Sequence, residues 1–183
     1  MAIRSFKIDI PNETLEDLSV RLKKAKWANQ IPMQEWTRGT NKDYLQALVN
    51  YWITDYDWRI QEKEFNQYPQ YKCYIDGVDV HFIHVKGEGE NSTPIILTHG
   101  WPDSFIRYQK VISRLSNPSK YGGNSSDSFD VIIPSLPGIG FSSIIEPRGF
   151  NNSQVADLWF KLMTEKLGYT KFGAAGGDMG SGV

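Results

Sequence analysis

The sequence has very little cysteine or histidine: among 183 residues there is one cysteine, Cys73, and three histidines. A lone cysteine excludes an intrachain disulfide and the paired spacings of a cysteine-based metal site, and it suits a reducing compartment. No stretch approaches the ~20 apolar residues of a membrane span. The opening run, Met1 to Ile10, carries Arg4, Lys7 and Asp9 where a signal peptide would need an apolar core. Neither charge sign is in excess, with 20 basic against 21 acidic residues and a net charge of -1, so nothing points to nucleic acid or an acidic tail. Internal repeats and long low-complexity segments are also missing. What remains is a cytoplasmic chain, 40% apolar, whose expected partner is a small molecule.

The amino-terminal part is aromatic and helical in pattern. Thr14-Leu-Glu-Asp17 can cap a helix whose buried face would carry Leu15, Leu18, Leu22 and Ala25. A second helix is expected from Lys42 to about Thr54, burying Tyr44, Leu45, Leu48 and Trp52. Trp27, Trp36, Trp52 and Trp58 read as packing surface rather than a binding platform. Together these elements make a helical strap that cannot close a core alone.

From about Tyr71 the period changes to two. Tyr71 to Ile75 and Val78 to Val85 alternate around Asp76-Gly77, a tight hairpin turn. Buried strands follow at Pro94 to Thr98 and Asp130 to Pro134, with a helix from Ser104 to about Leu115 between them. A helix near Gln154 to Leu167 and a last strand at about Thr170 to Ala175 complete the pattern. A hairpin followed by strand-helix-strand-helix-strand is an α/β class with a mostly parallel sheet. Ligands of such sheets bind at the carboxyl ends of the strands, where His99 to Pro102, Pro137 to Ser142 and Asp178 all fall.

Gly176-Gly177-Asp178-Met179-Gly180 fits the strand-to-helix turn that presents a nucleophile, with Asp178 in the place usually held by serine. A plainer reading makes Asp178 a helix cap in a glycine-rich loop. Gly138-Ile-Gly140 lacks the third glycine and acidic partner of a phosphate loop and reads as a turn. His81 and His84 lie on one strand and read as ordinary strand residues, not a metal pair; no metal site or cofactor is expected.

The set His99-Gly100-Trp101-Pro102, Pro134-Ser-Leu-Pro-Gly138 and Gly176 to Gly180 resembles an epoxide hydrolase of the α/β-hydrolase fold. Ahead of it stand Tyr51-Trp52, Tyr56-Asp-Trp-Arg59 and Asp76-Gly-Val78. They place the resemblance in the branch with an amino-terminal epoxide-hydrolase domain, as in microsomal, insect juvenile-hormone and fungal enzymes, and it covers nearly the whole chain. It implies the amino-terminal half of an α/β-hydrolase sheet, a hairpin plus parallel strands preceded by the strap. Residues 1–90 would form the amino-terminal segment with the first strands, and residues 91–183 the start of the hydrolase core.

The resemblance also implies roles. Asp178 would open an epoxide as a nucleophile; ionised at neutral pH, it needs no base to do so. The backbone N–H groups of Trp101 and Met179 would form the oxyanion hole. His99, Gly100, Pro102, Gly176 and Gly180 would support the site, with the Trp101-Pro102 peptide commonly cis in the family. Family members hydrolyse the aspartyl ester with a histidine backed by an acid, after cap tyrosines protonate the alkoxide. Those groups come after the nucleophile, so His99 cannot be the base, and the chain by itself is expected to be inactive. Two alternatives stay open. A haloalkane dehalogenase also uses aspartate, but often has asparagine where this chain has Trp101 and lacks the long amino-terminal segment. A noncatalytic fragment that binds a complementary carboxy-terminal chain is the other.

Overall fold

The computed structural model describes residues 2–29, 36–37, 39–144 and 149–183. Two compact units divide the chain: Ile8–Glu64, and Met1–Lys7 together with Phe65–Val183.

The first unit is helical, with α1 (Asn12–Lys23), α2 (Lys42–Thr54) and α3 (Trp58–Phe65). A polar knot closes it. Glu62 accepts from the Ile10 N–H at 2.7 Å and from the Trp58 indole at 3.1 Å, and it pairs with Arg59 at 2.7 Å. Arg59 in turn donates to the Ile10 carbonyl. Three expectations fail in this unit, the first being the buried face of α1: none of its residues is fully buried, and Ala25 lies exposed beyond its end at Lys23. Helix α1 begins at Asn12 behind Pro11, so Thr14 lies inside the first turn and caps nothing. The periodic face of α2 is not buried: Tyr44 is 54% exposed and Leu48 46%. Periodicity marks a face that requires a cover, and three short helices do not supply one for it.

The second unit is a six-stranded sheet of β1 (Arg4–Phe6), β2 (Gln70–Ile75), β3 (Val78–Val85), β4 (Thr93–Thr98), β5 (Phe129–Pro134) and β6 (Gly173–Gly176). Their order is β1-β2-β3-β5-β4-β6. The pairs β1-β2, β2-β3 and β3-β5 are antiparallel, and β4 runs parallel to β5 and β6. The sheet is therefore mixed rather than mostly parallel. Strand β1 went unseen in the sequence because three residues carry no readable alternation. The hairpin turn is as expected, with Asp76 at φ 46° and Gly77 at φ 90°.

Helix α4 (Gln109–Ser116), led by a 3-10 turn at Phe105–Tyr108, packs on β5. Helix α5 (Asn152–Lys161) continues into a π-helical turn at Leu162–Lys166. Asn151 and Gln154 form a reciprocal capping box at its start. Val155, Leu158, Trp159, Leu162 and Met163 pack with Val78, Val80, Phe82, Ile96 and Ile132 of the sheet in one buried core. Cys73 lies in that core, and burial pushes its thiol up to about 11, so it is inert.

Candidate active site

The three parallel strands end on one rim, and each hands over to a loop that carries part of the site. Strand β6 runs through Gly177 into Asp178, which is held at φ 57° in the left-handed region. A non-glycine residue pays for that conformation in backbone strain, and such strain gathers at functional sites. A 3-10 turn follows at Asp178–Gly182, closed by the Gly180 N–H on the Gly177 carbonyl at 3.0 Å. Gly180 packs on the Thr98 and His99 carbonyls at the end of β4 so closely that a Cβ there would collide with them.

The loop after β4 meets Asp178 directly. The Trp101 N–H donates to Asp178 Oδ1 at 2.9 Å, and the Trp101-Pro102 peptide is cis. A side chain on Gly100 would stand 2.5 Å from that same oxygen, so only glycine lets the loop come this close. Hydrogen bonds from the Trp101 and Met179 N–H groups, followed by the charge of Arg107, hold the Asp178 carboxyl below its ordinary range. The carboxylate is solvent-accessible, charged at neutral pH and bonded through Oδ1 to the Trp101 amide. It can attack an electrophile, and the amides can hold a negative oxygen formed on its own carboxyl carbon. The exposed side chains of Trp101 and Met179 stand at the same rim.

His99 is fully buried and joins two of the rim loops. Its Nε2 accepts the Leu136 N–H at 3.1 Å, so Nδ1 carries the proton and donates to the Gly100 carbonyl at 2.9 Å. Burial holds its pKa below the ordinary value, favouring that neutral form.

His81 proves more than an ordinary strand residue. Gln70 gives its amide hydrogens to the Phe65 carbonyl and Asn66, so its oxygen accepts from His81 Nε2 at 2.9 Å. His81 Nδ1 then accepts from the Ser135 hydroxyl at 2.8 Å. Phe6, Phe105 and Phe141 surround the ring, and burial drives its pKa down to about 3. The consecutive residues Ser135 and Leu136 are thus anchored by two neutral histidines, a link without a sequence signature. His84 lies apart, bonded to Tyr169 at 3.0 Å beside the Lys86-Asp130 ion pair. Among the described residues no cluster of histidine, cysteine and carboxylate side chains could hold a metal ion.

Comparison with known proteins gives the same outline. The family model for the epoxide hydrolase N terminus matches residues 3–108, and the α/β-hydrolase fold model matches residues 93–183. Epoxide hydrolase 1 of Sus scrofa is 38% identical over 98% of this chain and 40% of its own length. The juvenile hormone epoxide hydrolase of Bombyx mori superposes with a TM-score of 0.86 at 31% identity, covering 98% of this chain and 47% of that one. An enantioselective mutant of the Aspergillus niger epoxide hydrolase gives a TM-score of 0.85 at 28% identity, over 99% and 48% of the two chains. The chain therefore spans about two-fifths of the length of such curated relatives.

Proposed function

Since the chain belongs to the epoxide hydrolase N-terminal family, its second half continuing into an α/β-hydrolase fold, we propose that Asp178 is the nucleophile of an epoxide hydrolase. The observation that carries this reading is the bond from the Trp101 N–H to Asp178 Oδ1, on a residue held at positive φ. One carboxylate oxygen is held by the Trp101 amide, and its twin is left to attack an epoxide carbon. Ring opening gives an alkyl ester of Asp178 and an alkoxide that takes up a proton. Water then adds to the ester carbonyl carbon, and the oxyanion forms on the oxygen that the Trp101 amide holds, with the Met179 amide as its second donor. Each such donor contributes roughly 3 to 4 kcal/mol to the transition state. Gly100, Pro102, Gly176, Gly180 and His99 shape the loops that aim these groups.

The substrate class is a small epoxide and the product a vicinal diol, formed by a cytoplasmic protein. The general base for ester hydrolysis lies outside residues 1–183, because each histidine of the chain is bonded elsewhere: His81 to Gln70 and Ser135, His84 to Tyr169, His99 to Gly100 and Leu136. We assign that base, its acid and the proton donors to further polypeptide. Beside β6 there is a hollow of about 680 Å³, lined by Ile96, Trp159, Phe160, Phe172 and Ala174, into which that polypeptide would pack. The buried Trp159 indole N–H has no partner among the described residues, and an acceptor from that segment would satisfy it.

A single turnover of the full-length protein in ¹⁸O-water tests the reading. The label is expected in the Asp178 carboxyl group, with the first diol unlabelled; label in the first diol would rule out an aspartyl ester.

A further inference from the structure

Arg107 lies outside every motif in the sequence, yet its guanidinium reaches the turn that carries Asp178. It sits on the 3-10 turn at Phe105–Tyr108, and its Nε pairs with Asp103 at 2.5 Å. Its Nη1 then rests against Gly177, where an added Cβ would stand 2.6 Å away. The neighbouring Tyr108 hydroxyl donates to the Thr98 carbonyl at 2.8 Å, and that same carbonyl accepts the Gly177 N–H at 3.4 Å. One short segment thus holds both the backbone and the electrostatics of the turn.

We propose that Arg107 is a positioning residue for the reaction of Asp178, placing a cation beside the Gly177-Asp178 turn that favours the states in which the Asp178 side chain is negatively charged. The proposal rests on Asp178 being the nucleophile. The carboxylate is anionic in the free enzyme, neutral as the alkyl ester and anionic again in the tetrahedral intermediate. In the hydrolytic step water adds to Cγ, giving its proton to a general base, and the carbonyl π pair moves onto oxygen. Collapse then breaks the bond from Cγ to the alkyl oxygen, which takes up the proton. A cation beside Asp178 favours the first and third states over the second. It therefore speeds ester hydrolysis and does not assist ester formation.

The remaining titratable groups of this neighbourhood do not cancel the effect. Asp103 offsets part of the Arg107 charge, burial keeps His99 neutral, and burial raises the Tyr108 pKa so that it stays protonated.

The test uses the full-length protein with styrene oxide as probe, comparing wild type, R107Q, R107K and D178N by rapid mixing, acid quench and intact mass. For R107Q, ester hydrolysis is expected to slow about three- to fivefold, the range for a partly exposed charge. Ester formation should be no slower, so the trapped ester fraction rises, and the acid limb of ester formation moves to higher pH. R107K should recover most of both effects. Slowing of both steps in proportion with an unmoved acid limb, or no change in either step, would overturn the proposal. D178N separates the two ideas: absence of any ester supports the nucleophile reading by itself, whereas an ester trapped on D178N removes that reading and the role of Arg107 together.

Discussion

Gly100 and His81 show how single residues hold the site from opposite directions, one by lacking a side chain and one by burying a polar ring. Gly100→Ala would push a methyl group against the Asp178 carboxylate. We expect ester formation to fall at least tenfold while thermal stability drops by about 1 to 3 kcal/mol, read from single turnovers and melting curves. His81→Ala leaves the Ser135 hydroxyl and the Gln70 carbonyl oxygen without their partner in the core. The expected loss is about 2 to 4 kcal/mol in urea unfolding, most of it from the stranded polar groups and the cavity. His81 also sets a pH dependence. Its folded pKa, about 3, lies below the ordinary 6.5, so between those values the unfolded chain binds the extra proton. Stability from this residue is therefore complete above about pH 6.5 and declines as pH falls toward 3, which melting curves from pH 7 to pH 4 would show. Asp178, Trp101 and Met179 were legible as a motif because the turn and its glycines are contiguous. The links from His81 to Ser135 and from Arg107 to Gly177 were not, since they join residues 54 and 70 positions apart through the fold.

Among the elements, β2, β3, β4 and β5 appear where alternation or an apolar run marks them, each within a residue or two of its expected ends. Their signal is strong because the sheet buries them: Val78, Val80 and Phe82 on β3 are fully enclosed. Helix α5 likewise follows its apolar period, and its Asn151 cap accounts for where it starts. Asn151→Ala should cost about 1 kcal/mol, measured by chemical unfolding, with ester formation unchanged. The α2 face reads just as strongly in sequence and yet stays exposed, because periodicity reports only which side is apolar. Strand β6, Gly173-Ala-Ala-Gly176, has almost no side chains to carry a pattern. The strand was expected at about Thr170 to Ala175, and its pairing with β4 sets its actual ends.

At the scale of the whole molecule, exposed Tyr44, Leu48, Tyr51, Trp52 and Phe160, with the hollow beside β6, leave much apolar surface in water. Residues 1–183 expressed alone are expected to bind a hydrophobic dye, to self-associate as concentration rises and to turn over no epoxide. A soluble monomer by size exclusion that hydrolyses epoxide would contradict that expectation. By itself, the sequence determined the α/β class, the hairpin, the run of rim loops and the glycine-flanked turn that holds Asp178, because each rests on local period or contiguous turn chemistry. Tertiary structure alone decided the mixed pairing of the sheet, the positive φ at Asp178 and the Trp101 amide on its carboxylate. It also set the buried histidine anchors and the reach of Arg107. These depend on strands and loops far apart in the chain meeting at one rim, and no local pattern of residues encodes where such segments meet.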